Sequence, residues 1–343
     1  MKDSINIGIA GATGYIGLEL IKILAKHPRV KIIYLCAQKS LGQNIKKFDK
    51  NIKKNNLPKI SHVDNINWAK INVIFTALPN GEAHKIATLK PDSVKLIDLS
   101  ADFRLDSIDS YKKWYGGNFK SQKLLNKSIY SIAEFKKDKL QNYNIISCPG
   151  CYPTSIQIPL IPIIKNKMIN LNNIIIDSKS GYSGAGKNIK KKFAFKNLLS
   201  SVSAYGVGSH RHMVEIDQEL SKASKKKIKV FFTPHLMPMF RGILSTIYIE
   251  SKKKYNAESI YNFLKKYHKN NYFIKFAKFN SPIGTGSVVN TNFCEISVCK
   301  NRENNKIIII SAIDNLLKGG SGQAVQNMNI SFKFKETLGL IWK

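Results

Sequence analysis

Apolar positions recur in two different rhythms along this 343-residue chain. In the first part, short apolar runs bounded by turn residues follow one another: INIGIA at 5–10, KIIYLCA at 31–37, NVIFTAL at 72–78, VKLIDLS at 94–100 and YNIISC at 143–148. Between them, LELIKILAKHP (18–28) and GEAHKIATLK (81–90) place apolar residues at helical spacing. Continuous apolar strands alternating with helices are the pattern of parallel βαβ units. Residues 1–148 are therefore predicted to form a Rossmann-type, doubly wound parallel sheet that binds a dinucleotide.

From Cys151 onward the rhythm changes. TSIQIPLIPIIKNK (154–167) reads as a helix, whereas NNIIIDSKS (172–180), KIKVFFTPH (227–235), GILSTIYIE (242–250), NFCEISVCK (292–300) and KIIIISAI (306–313) read as strands with few helices between them. This predicts an α+β second domain over 149–312 with a mostly antiparallel sheet, the domain to which the resemblance given below assigns catalysis and oligomerisation. The last stretch, helical in its second half, is expected to return to the first domain, so 313–343 is assigned there. No internal repeat or low-complexity linker interrupts this division.

Composition changes the picture little, but charge raises a question. With 43% hydrophobic and 22% charged residues the chain reads as globular, and no run approaches the roughly 18 to 20 apolar residues of a membrane span. The start, MKDS, leads directly into a strand without a signal-peptide pattern, so a cytoplasmic location is expected. The formal charge of +33 invites a nucleic-acid reading. Lysines, however, lie in scattered patches such as IKKFDKNIKK and KASKKKIK rather than in one stripe, which predicts a solvated surface and no specific nucleic-acid partner. Among only five arginines, Arg104, Arg211 and Arg241 fall in segments singled out on other grounds, where a planar fork is useful.

Four segments can carry chemistry. GIAGATGYIG follows a strand and enters a helix, so Gly11, Thr13, Gly14, Tyr15, Ile16 and Gly17 are candidates to cradle a pyrophosphate. The next strand ends in CAQKS, with Gln38, Lys39 and Ser40 where an NAD enzyme places an acid, and this favours NADP(H). SCPGCYPTS (147–155) puts Cys151 at a predicted helix start, where the helix dipole favours a thiolate nucleophile. A Cys148–Cys151 dithiol and a metal site are the alternatives. Cys294 and Cys299 fall on opposite faces of a strand, and no metal is expected. GSHRHMVEID offers His210 and His212 as acid or base and Glu215 as a carboxylate to orient a partner. DLSADFRL offers Ser100 and Arg104 to a substrate phosphate, with a helix cap and a surface arginine as the alternative. GYSGAGKN matches a P-loop spacing but has Asn188 where Ser or Thr is needed, so Gly181 to Gly186 reads as a cleft-lining loop.

Together, GATGYIG, DLSADFRL, PGCYPT, SGYSGAG, HRHMVEI, PMFRGIL and SAIDNLLKGGSGQAVQNMN resemble the N-acetyl-γ-glutamyl-phosphate reductase family over nearly the whole chain. The resemblance implies a Rossmann domain joined to a glyceraldehyde-3-phosphate-dehydrogenase-like domain, a homodimer or homotetramer, and NADPH-dependent reduction of an acyl phosphate through a cysteine thioester in arginine biosynthesis. It implies that Cys151 is the nucleophile and His210 the active-site histidine, with His212 and Glu215 close by. Ser100, Arg104 and Arg241 would stand near the substrate and Asn315 on the cofactor side, to which the segments themselves add Arg211, between the two histidines, for the substrate, and Ser40, Ser183 and Gly184, at the strand end and in the glycine loop, for the cofactor. Three departures from the family pattern are Cys148 in place of Asn, Val214 in place of Pro and Asn80 in place of His. An aspartate-semialdehyde dehydrogenase shares the same logic, and a basic nucleic-acid-binding protein without turnover is the rival of another class.

Overall fold

The computed structural model describes residues 4–116, 121–186 and 200–341. The chain divides into two compact units, Met1–Pro149 with Gly320–Lys343, and Gly150–Gly319.

The first unit is built on a seven-stranded sheet of β1 (Ile5–Ala10), β2 (Val30–Cys36), β3 (Ile60–Ser61), β4 (Val73–Thr76), β5 (Lys95–Asp98), β6 (Ser128–Tyr130) and β7 (Ile145–Ser147). Their order is β3-β2-β1-β4-β5-β7-β6, and every pair is parallel. β4 is buried along its whole length, the burial expected of a central parallel strand. Helices α1 (Tyr15–Leu24), α2 (Ala83–Leu89), α3 (Ile108–Tyr115), α4 (Gln122–Asn126) and α5 (Ala133–Lys136) connect the strands. β6 was not predicted, because Ser-Ile-Tyr lacks the continuous apolar run that marks the equally short β7 in YNIISC.

The second unit holds α6 (Cys151–Lys165), α7 (His212–Ser224), α8 (Ala257–Tyr267) and seven further strands. These are β8 (Ile175–Gly181), β9 (Ser203–Ala204), β10 (Phe231–Met237), β11 (Ile243–Glu250), β12 (Ile274–Phe276), β13 (Cys294–Lys300) and β14 (Lys306–Ile313), ordered β12-β13-β14-β11-β8-β10-β9. The sheet is mixed. Antiparallel pairing holds at β9/β10, β8/β11, β11/β14 and β13/β14, while β8/β10 and β12/β13 are parallel.

The last helix, α9 (Gly322–Ser331), belongs to the first unit and occupies only part of the expected 313–343. The second unit runs on past 312 to Gly319, because β14 pairs along its length with both β11 and β13. α9 is buried on nearly every side, polar residues included. Three of those polar side chains are paired within the unit: Asn329 Oδ1 meets His27 Nε2 at 3.0 Å, Gln326 donates to Glu134 at 3.0 Å and Ser131 donates to Asn327 Oδ1 at 3.0 Å. Ser321 Oγ donates to the Ile16 carbonyl of α1 at 3.0 Å.

α6 is the central helix of the second unit and packs on α7, α8, β11 and β14. It contains Pro153, Pro159 and Pro162. Pro153 lies in the first turn, where no N–H is needed. Pro162 deprives the Ile158 carbonyl, four residues earlier, of its helical donor. His268 Nε2 supplies the replacement at 3.2 Å, and Asn271 Nδ2 holds the other ring nitrogen at 2.9 Å. At the opposite end of the helix, Ser155 Oγ joins Ser245 Oγ (2.7 Å), which joins Ser178 Oγ (2.8 Å), so hydroxyls on β8 and β11 tie the first turns of α6 to the sheet.

Candidate active site

Cys151 is the first residue of α6 and is partly exposed. Gly150 caps the helix without a side chain, and its N–H donates to Glu215 Oε1 of α7 at 2.8 Å. A Cβ on Gly150 would lie 2.6 Å from His212 Nε2, so only glycine lets that ring rest against the backbone beside Cys151. A Cβ on Gly319 would lie 2.8 Å from the Cys151 Cβ. Two glycines thus allow a histidine to rest on the residue before the cysteine and a backbone turn to close on the cysteine itself.

His210 and His212 pack edge to face with centroids 4.8 Å apart, and Tyr152, Tyr205 and Phe232 surround His210 at 5.5, 5.3 and 5.7 Å. His210 Nδ1 accepts the His212 N–H at 3.1 Å, which puts the proton of the neutral ring on Nε2. Burial, with the Arg211 charge adding to it, pushes His210 down to about 4. At neutral pH this histidine is an uncharged donor through Nε2, not a proton acceptor at Nδ1. Glu215, expected to orient a catalytic partner, is fully buried and turns one oxygen to the Gly150 N–H. Arg211 is exposed just ahead of α7.

Arg241 places Nη1 3.4 Å from Asp314 Oδ2. Asn315 donates to Ser183 Oγ at 2.9 Å and accepts the Gly242 N–H at 2.8 Å. Its amide therefore ties the loop of Ser183 and Gly184 to the start of β11. Backbone bonds from Gly181, Tyr182 and Ser183 to residues 239–242 complete that seam. Asn188 lies outside the described residues.

In the first unit, Gly11 has φ +88° and a Cβ there would meet the Ala77 carbonyl oxygen at 2.2 Å. Gly17 packs against Gly11 and Ala12 just as closely, whereas a Cβ on Gly14 would find only the Gly11 oxygen, 3.5 Å away. Gly14 is the N-cap of α1, so Thr13 and Tyr15 flank an open backbone surface at a helix N-terminus, with Ile16 one residue further in. That cradle fits a dinucleotide pyrophosphate. Gln38, Lys39 and Ser40 follow β2, with Ser40 at φ +68° and no carboxylate among them to repel a 2′-phosphate.

Ser100 and Arg104 are buried and engaged inside the same unit. Ser100 Oγ donates to Asp98 at 2.9 Å and accepts the Asp102 N–H at 3.2 Å. Arg104 donates from Nε to the Cys148 carbonyl (2.9 Å) and from Nη2 to that of Leu99 (3.0 Å), while the Cys148 N–H donates to the Asp98 carbonyl (2.7 Å). The segment is a strut under residue 148. Burial pushes the Cys148 thiol up to about 12, against the thiolate character that a reactive dithiol requires. All five cysteines are free thiols. Among the described residues no group of His, Cys, Asp and Glu is arranged to hold a metal. Tyr205, Asp314 and Gly319 complete the surroundings of Cys151, His210 and Arg241; Tyr205 lies outside every segment singled out above, while Asp314 and Gly319 fall within SAIDNLLKGG but were given no role there, because their contacts with Arg241 and Cys151 join residues far apart in the chain.

Comparison with known proteins agrees across both units. Residues 6–143 match the semialdehyde dehydrogenase NAD binding domain, and residues 151–315 match the semialdehyde dehydrogenase dimerisation domain. An N-acetyl-gamma-glutamyl-phosphate reductase of Thermoanaerobacter pseudethanolicus is 44% identical, covering 98% of each chain. One from Ehrlichia canis is 40% identical over 99% of this chain and 98% of its own, and a probable chloroplastic one from Arabidopsis thaliana is 39% identical over 99% and 85%. Among solved structures, aspartate semialdehyde dehydrogenase II of Vibrio cholerae superposes with a TM-score of 0.72 at 18% identity, covering 96% of this chain and 98% of that one. That likeness shows the fold.

Proposed function

This chain belongs to the N-acetyl-γ-glutamyl-phosphate reductase family, which reduces an acyl phosphate to an aldehyde with NADPH in arginine biosynthesis, and we propose that Cys151 is the nucleophile through which it does so. The observation that carries this role is the placement of Cys151 on the first residue of a buried 15-residue helix, with Gly319 against its Cβ and the His212 ring against the neighbouring Gly150. The partial positive charge of that helix end stabilises a thiolate. The sulfur attacks the acyl carbon of N-acetyl-5-glutamyl phosphate, the carbonyl electrons move to oxygen, and the tetrahedral adduct re-forms its carbonyl by expelling phosphate. The product is a thioester on Cys151.

NADPH, when held along Gly11–Gly17, supplies the hydride that takes the thioester to the aldehyde level. Each tetrahedral adduct carries an oxyanion, and neutral His210 is suited to meet it as a hydrogen-bond donor through Nε2. Collapse of the second adduct expels the Cys151 thiolate and releases N-acetylglutamate 5-semialdehyde, so no step demands a base at His210. Arg241 and the exposed Arg211 are the second unit's cations for the anionic substrate, while Ser100 and Arg104 act by bracing the chain at residue 148. His212 fixes the ring of His210 through its N–H, and Glu215 holds the helix cap.

A homodimer or homotetramer is supported by the outer face of the second sheet. There Phe231 and Tyr248 both pair in register with Ile175, and the three side chains are 63%, 40% and 45% exposed. A cytoplasmic location fits five free thiols, and among the described residues no helix is long and apolar enough to cross a membrane.

The test is the phosphate-dependent reverse reaction, with N-acetylglutamate semialdehyde or aspartate semialdehyde and NADP⁺, followed by NADPH absorbance. Turnover with the acetylated substrate, lost in Cys151→Ala, is the expected result. Preference for aspartate semialdehyde would keep the chemistry and overturn the substrate.

A further inference from the structure

We propose that Asp314 is a positioning residue for this reaction, setting the guanidinium of Arg241 on one side and the turn that presses on Cys151 on the other. The proposal rests on the functional reading above for Arg241, and on geometry alone for Cys151.

Asp314 follows directly on β14 and is completely buried. Its Oδ1 accepts the N–H groups of Leu316 (2.8 Å) and Leu317 (3.1 Å), and its carbonyl accepts the Gly319 N–H (2.9 Å). Those three bonds curl the chain into the π-helical turn Leu317–Ser321. The same bonds place Gly319 where an added Cβ would strike the Cys151 Cβ at 2.8 Å. The other oxygen, Oδ2, accepts the Asn290 N–H (2.7 Å) and faces Arg241 Nη1 (3.4 Å). Each oxygen thus serves a different neighbour of the chemistry. A guanidinium near a buried carboxylate keeps one orientation, because leaving it would strand a charge away from water. A carboxylate is required for both tasks at once. In Asp314→Asn one oxygen becomes an NH₂, which must point at either the Leu316 and Leu317 amides or the Asn290 amide and Arg241, and in both cases donors face donors.

The experiment uses the full chain and compares wild type, Asp314→Asn, Arg241→Gln and the double variant, each checked for folding by circular dichroism and a cooperative melt. Two readouts are taken: KM and kcat in the reverse reaction, and the rate at which iodoacetamide alkylates Cys151, followed by mass spectrometry without substrate. Asp314→Asn is expected to raise KM for the aldehyde about tenfold and leave KM for NADP⁺ within about twofold, since Asp314 acts through a substrate-side cation. The double variant should then match Arg241→Gln in KM, because Asp314 has nothing left to orient. Alkylation of Cys151 should quicken by about threefold or more as the turn over it loosens, while kcat falls. A folded Asp314→Asn whose KM and alkylation rate stay within about twofold of wild type overturns the proposal, as do KM effects that simply multiply in the double variant. If Asp314→Asn does not fold, Asp314→Glu, which keeps the charge and moves it by one methylene, is read by the same criteria. A wild type that does not turn over the acetylated semialdehyde defeats the functional reading instead, and the alkylation rates still decide whether Asp314 governs Cys151.

Discussion

A carboxylate that accepts the N–H of a helix cap does different work from one that moves protons, and Glu215 has the first geometry. Glu215→Gln keeps an acceptor for Gly150 and should retain activity within about tenfold, whereas Glu215→Ala leaves a buried N–H without it and should lose about 1–3 kcal/mol of stability. Kinetics and urea midpoints of the two variants separate these roles, and equal loss in both would return Glu215 to the proton path. His210 makes a prediction in pH. Its folded value near 4 lies below the unfolded 6.5, so the unfolded chain binds more protons between them. The stability tied to neutral His210 is fully present above 6.5 and is lost as pH falls toward 4. Urea midpoints across that window should fall less steeply in His210→Asn than in wild type. Cys148→Ser should remain within about threefold of wild-type turnover, since a buried, unreactive thiol takes no part in the chemistry, and a folded but inactive variant would revive the dithiol.

At the scale of elements, α6 shows how far a pattern can be read. Its helical character and the place of Pro153 near its start are legible in the apolar spacing. What sustains it through Pro162 is not, because His268 arrives from the end of α8, more than a hundred positions along the chain. His268→Ala removes the donor from a buried carbonyl and should cost about 1–3 kcal/mol, read as a lower melting temperature. No loss of stability would mean that the helix tolerates the missing bond unaided. The same distinction holds at the site. Cys151 and the two histidines announce themselves by residue type and local spacing. The serine row beneath α6, the Gly319 contact and the Asp314 hub depend on which strands become neighbours, and a single sequence does not display that order. Arg104 was legible as unusual, in a chain with five arginines, but its target was not: its fork grips the carbonyls of Leu99 and Cys148.

For the whole molecule, two-domain organisation and the parallel sheet follow from the alternation of strands and helices. The mixed pairing of the second sheet does not, since a strand period fixes the faces of a strand but not the direction of its partner. Self-association is the property to measure at this scale. Phe231→Glu places a charge in the exposed row with Ile175 and Tyr248 and should reduce the mass found by light scattering to that of one chain, without lowering the melting temperature of the protomer by more than about 1 kcal/mol equivalent. An unchanged assembly would move the interface elsewhere.

The first unit is assembled from both stretches that flank the second, and α9 lies in its core. On a translating ribosome, all of residues 150–319 emerge before α9 does. The Rossmann sheet, though made first, must wait with an uncovered apolar flank, while the later unit already has every strand it needs. Vectorial synthesis therefore reverses the order of the domains: the one begun first is finished last, and a nascent chain stalled on a C-terminal extension, with residues up to 319 outside the exit tunnel and α9 still within it, should protect the second unit from protease before the first.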